Sequence, residues 1–71
     1  MFLNLATEIK KAGLSQKEFS QRVKINAVVF SRKLNGDSDW KLSEIRRILE
    51  FWNLKLSFDY LFENIEVQQV G

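Results

Sequence analysis

The chain has no cysteine, no histidine and no proline. The first two absences exclude disulfides, thiolate and imidazole metal ligands, and any mechanism that needs a Cys or His nucleophile or base. The lack of proline favours helices. With neither cross-link nor metal, a chain of 71 residues depends for its stability on good helix packing or on a partner chain, because a core this small supplies little net free energy. No apolar run approaches the roughly 20 residues that span a bilayer. The amino terminus lacks the basic region and small-residue cleavage site of a secretory leader. The expectation is a cytoplasmic, single-domain protein with no membrane segment.

Hydrophobic residues make up 45% of the chain and charged residues 28%, which places it among globular proteins. The net charge of +2 conceals an uneven distribution. From Lys10 to Arg47 ten basic residues face four acidic ones, whereas from Ile48 onward Lys55 alone faces four acids. A basic body with an acidic end suits a domain that presents one face to phosphates, although charges that merely solvate helix faces give the same count.

No internal repeat, low-complexity segment or linker interrupts the chain, and its patterning predicts an all-α bundle of about five short helices. The first covers about Phe2 to Ala12, with Phe2, Leu5, Ala6 and Ile9 on one face and Gly13 as its stop. Ser15-Gln16-Lys17-Glu18 has the capping-box pattern that opens a second helix, whose inward residues are Phe19 and Val23. A turn at Lys24-Ile25 leads to Asn26, a suitable cap for a third helix from Ala27 to Leu34. Ile25 and Phe30 stand at the positions of a hydrophobic staple, and Asn35-Gly36 closes that helix. After a loop from Asp37 to Lys41, the stripe Ile45, Ile48, Leu49 and Trp52 predicts a fourth helix from Leu42 to Trp52, broken by Asn53. Ser57 caps a last helix from Phe58 to Phe62. The domain thus covers 1–62. Residues 63–71 form a tail that reads either as a short strand, from the spacing of Ile65, Val67 and Val70, or as a disordered end.

An enzyme has little to draw on. Ser15, Ser20 and Ser31 have no His to activate them, and the pairs Asp37/Asp39 and Glu63/Glu66 carry no sign of an enclosed pocket. The expectation is no catalysis, no cofactor, no metal and no small-molecule substrate.

Two short helices joined by a tight turn, the second closed by Asn-Gly, form a geometric device: one helix braces so that the next can enter a major groove. The run LSQKEFSQRVKINAVVFSRKLNG, Leu14 to Gly36, resembles the helix-turn-helix of phage repressor and Cro-type transcriptional regulators. The wider likeness runs from about Leu5 through Leu61. It rests on Leu14-Ser15-Gln16, the small Ser20, apolar Val23 and Ile25 around the turn, Asn26, Phe30 and Asn35-Gly36.

The resemblance implies binding of double-stranded DNA, with Ala27, Val28, Ser31 and Arg32 facing base edges and Gln16, Lys17, Asn26, Asn35 and Gly36 facing the phosphate backbone. Arg32 is the strong reader, because a guanidinium can bridge guanine O6 and N7. Two features depart from the family pattern. Lys24 stands where glycine is common. Ala27 and Val28 are apolar where many relatives carry Gln, Ser or Arg, so they can pack on a thymine methyl but give no hydrogen-bond readout.

The aromatics Trp40, Phe51, Phe58, Tyr60 and Phe62 exceed what so small a core readily hides. They read either as closing the bottom of the core or as an interface for a homodimer or a partner repressor protein. Two functions therefore stand side by side: an operator-binding regulator, and a protein-binding modulator, antirepressor or co-repressor, that engages another regulator through its apolar surface.

Overall fold

The structure is a computed structural model and describes residues 1–65. Among them the chain forms five helices and no strand: α1 Leu3–Lys11, α2 Gln16–Arg22, α3 Ala27–Asn35, α4 Leu42–Phe51 and α5 Phe58–Leu61. The bundle is all-α, as the patterning predicts. Five helix ends move by a residue: α1 is shorter at each end, α3 runs on to Asn35, and α4 and α5 each stop one residue early. The reading of the tail as strand or disordered end falls largely on residues 66–71, outside the described residues. No helix among those described is long and apolar enough to cross a membrane.

The first four helices end in the same way. Gly13, Lys24, Gly36 and Asn53 each take a left-handed conformation, with φ of 76°, 59°, 90° and 53°. The residue after each donates its amide to a carbonyl five residues back: Leu14 to Ile9 at 3.3 Å, Ile25 to Ser20 at 2.9 Å, Asp37 to Arg32 at 2.9 Å and Leu54 to Leu49 at 3.0 Å. These paired bonds satisfy carbonyls that the last helical turn would otherwise leave open. At Lys24 the chain accepts a conformation disfavoured for a side-chain-bearing residue. Leu54, at φ 60° and 70% exposed, extends the left-handed stretch after α4.

Three of the starts, those of α2, α3 and α5, are capped as the sequence predicts. Ser15 Oγ accepts from the Glu18 amide at 3.1 Å while the Glu18 carboxylate accepts from the Ser15 amide at 3.0 Å. Asn26 Oδ1 accepts from Val28 and Val29, and Ser57 Oγ from Tyr60.

The interior is organised by aromatic rings. Phe19 of α2, fully buried, meets Phe30 of α3 at 5.6 Å, Phe51 of α4 at 4.9 Å and Trp52 just beyond α4 at 5.3 Å. Trp40, in the loop before α4, meets Phe2 at 5.9 Å, Phe30 at 5.6 Å and Phe62 at 5.3 Å. Phe30 belongs to both groups. Leu5, Ile9, Ile48 and Leu61 fill the remaining core, while Ile45 stays only half-buried at the edge of its stripe. Ser20 is fully buried on α2 and bonds back to the Lys17 carbonyl at 2.7 Å, a small side chain where α2 runs against its neighbours.

The two ends of the described chain meet. The Ile65 amide donates to the Met1 carbonyl at 3.0 Å, and the Phe2 amide to the Leu34 carbonyl at 2.9 Å. Asn4 Nδ2 donates to the Tyr60 carbonyl at 2.9 Å and to Glu63 at 3.2 Å, fixing α5 on α1.

A Cβ added at Gly13 would meet no atom within 4 Å, so Gly13→Ala isolates the backbone cost. It is expected to lower the unfolding free energy by about 1 kcal/mol. Lys24→Gly is expected to raise it by about 0.5 kcal/mol, the relief of the left-handed strain exceeding glycine's greater loss of chain entropy. Urea unfolding with an unchanged slope checks both.

Candidate nucleic-acid interface

Helical spacing divides α3 into two faces. Phe30, Lys33 and Leu34 point inward and are buried. Val28, Arg32 and Asn35 form the opposite stripe and are exposed, with Val28 at 66%. Ala27 and Ser31 flank that stripe and are half-buried. Among the described residues Arg32 makes no ion pair or side-chain hydrogen bond, so its guanidinium is available to a ligand. The Asn26 oxygen is committed to capping α3, which leaves only its amide nitrogen for a second partner.

Gln16 and Lys17 are exposed at the start of α2. Beside them the Glu18 carboxyl is held below its ordinary pKa, chiefly by the hydrogen bond from the Ser15 backbone and also by the Ser15 hydroxyl. An ionised carboxylate therefore accompanies this helix start at neutral pH and offsets part of its attraction for anions. Asn35 and Gly36 lie exposed at the other end of α3, where Gly36 supplies the left-handed close. The structure thus places every residue expected to read bases or phosphates on α3, at its two caps or at the start of α2. It leaves Ala27 and Ser31 the least accessible of them.

The charge count needs one correction. Lys33 belongs to the basic stretch by sequence, yet it is buried and its ammonium pairs with Glu44 Oε1 of α4 at 2.5 Å. The same carboxylate oxygen accepts the Lys41 amide at 2.8 Å, so Glu44 caps the start of α4 while it holds α3. Burial pushes the Glu44 carboxyl up, but the hydrogen bonds from Lys33 and the Lys41 backbone outweigh it and keep the group below its usual value. Sequence reasoning passed over this pair. The signal was Lys33 itself, three residues after Phe30 and one before Leu34, on the face that must turn inward.

The five surplus aromatics divide. Trp40, Phe51 and Phe62 pack half-buried against the core. Phe58, 49% exposed, stacks on Phe62 at 5.3 Å, and Tyr60 is exposed with its hydroxyl donating to Glu8 at 2.8 Å. That bond to a carboxylate raises the Tyr60 pKa. Edge-to-face packing in two groups absorbs more aromatic surface than helix count alone suggests. Comparison of the chain with protein-family models, curated proteins and solved structures returned no match.

Glu44→Gln leaves a buried ammonium without its counter-charge and is expected to cost about 3 kcal/mol, whereas Lys33→Met with Glu44→Leu is expected to fall within about 1 kcal/mol of the parent or above it. Because the folded-state pKa of Glu44 lies below its unfolded value, its contribution is present near neutral pH and is lost as pH falls through the folded value. Acid titrations of unfolding should therefore show a smaller loss of stability in the double variant than in the parent protein.

Proposed function

We propose that this protein is a DNA-binding transcriptional regulator of phage repressor or Cro type that lays α3 in the major groove. The observation that carries the reading is the exposed stripe Val28, Arg32 and Asn35 with a guanidinium at its centre that has no partner among the described residues, on a helix fixed from behind by Phe30 and the Lys33–Glu44 pair. A rigid support behind a projecting helix is what base reading requires, since side chains must meet base edges in a set register. Gln16, Lys17, Asn35 and Gly36 supply backbone contacts, and Arg32 supplies discrimination for guanine. Val28 and Ala27 offer apolar contact to thymine methyl groups. A dimer reading two half-sites accords with this role.

A second reading is favoured by one observation. Val28 and Val29 leave apolar surface exposed on α3, as Phe58 does on α5. In that reading the chain is a modulator that engages another regulator through protein contact.

Titration of purified protein against random duplex DNA and against its own upstream region, at two salt concentrations, distinguishes the two. The expected result is a preference for the upstream region and affinity that falls steeply with salt through counterion release. Arg32→Ala, with unchanged helicity, should remove about 1–3 kcal/mol of that preference. Weak, sequence-blind binding that ignores Arg32 would replace the operator-reading role with the protein-directed one.

A further inference from the structure

A second basic surface lies away from α3. The end of α2, the turn after it and the outer part of α4 enclose a depression of about 460 Å³ lined by Arg22, Val23, Lys24, Arg47, Glu50 and Phe51. None of its walls comes from α3. Three cations face one carboxylate there, and among the described residues neither the cations nor Glu50 take part in an ion pair. Arg46 and Arg47 border a smaller adjoining depression of about 210 Å³, so the basic surface continues along α4.

Two features of this region bear on what it binds: a buried donor left without an acceptor, and a left-handed close of α2 filled by lysine rather than glycine. The Arg47 Nε is closed off from solvent with no hydrogen-bond acceptor among the described residues, and a buried donor is costly to leave unmatched. Lys24 holds φ at 59°, where glycine would sit with less strain. Strain retained at a position that places a charge on the rim of a depression is of the kind found at ligand sites. Val23 and Phe51 give the depression an apolar floor, which weakens solvent screening of the charges above it.

We propose that this depression binds a phosphate group. Two guanidinium forks and an ammonium match a multiply charged tetrahedral oxyanion, which accepts several charge-assisted hydrogen bonds at once. A carboxylate presents fewer acceptors to the same donors. The phosphate belongs either to a nucleic-acid backbone or to a small phosphorylated solute; in both cases the recognised chemistry is the same. The site does not rest on the reading of α3, and a failure of operator binding leaves it intact.

The test is a nuclear magnetic resonance titration of isotope-labelled protein with inorganic phosphate, with sodium chloride at matched ionic strength, and with a short duplex DNA. Phosphate is expected to shift the Val23 and Lys24 amides and the Arg47 guanidinium signal, with chloride nearly silent. Lys24→Gly should weaken this response about tenfold while stabilising the fold, and Arg47→Lys, which keeps the charge but loses the fork, should weaken it by a similar factor. Duplex that displaces phosphate from these signals identifies a nucleic-acid backbone as the source. Duplex that leaves them unmoved while phosphate shifts them identifies a small solute. The proposal is overturned by an Arg47 signal that ignores both ligands, by chloride reproducing the shifts, or by both variants titrating as the parent does.

Discussion

The ring of Phe30 is the point on which the structure depends. It is fully buried, and it alone belongs to both aromatic groups, the one around Phe19 and the one around Trp40. No helix among the described residues exceeds ten residues, and isolated helices of that length are marginal in water. Each must therefore be held by what it packs against. Phe30 ties α3 to α2 on one side and, through Trp40, to Phe2 and Phe62 on the other. Truncating such a ring removes about 3–5 kcal/mol, which for so small a core is a large part of its stability.

Around that ring, electrostatics divides the basic residues by role. Lys33 is withdrawn into the ion pair with Glu44 and helps to orient α3. Arg32, its neighbour in sequence, is left projecting. The same helix thus carries one cation as support and one as the candidate reader, separated only by the helical rotation of a single residue. The exchange of α3 contacts with α4 through Glu44 also means that the α4 start and the α3 orientation are not independent, since one carboxylate serves both.

Much of this was legible in the sequence where the chemistry is local. Ser15 with Glu18, Asn26 and Ser57 announced the helix starts, and Gly13, Gly36 and Asn53 the stops, because each cap is satisfied within a few residues. Lys24 stands at a position where glycine is common, and the structure gives it the left-handed conformation. What could not be read were interactions between distant residues. Glu44 reaches Lys33 across the loop, Asn4 reaches Tyr60 and Glu63, and Trp40 finds its ring partners in Phe2 and Phe62, far apart in sequence. For the candidate site, the exposure of Val28, Arg32 and Asn35 followed from the position of Phe30 on the same helix. The half-burial of Ala27 and Ser31 did not, because it depends on tertiary packing and not on the spacing within the helix.

The hydrogen bond between Ile65 and Met1 gives the described chain nearly the connectivity of a ring. In such a topology the longest-range contacts, those of α5 with α1, carry the largest closure entropy, while the α2–α3 hairpin closes over a short loop. A circularly permuted chain, rejoined across these adjacent ends and opened in the exposed Asp37–Asp39 segment, would reverse that order. The α5–α1 contact would become local, and the Lys33–Glu44 pair between α3 and α4 would carry the largest closure entropy instead.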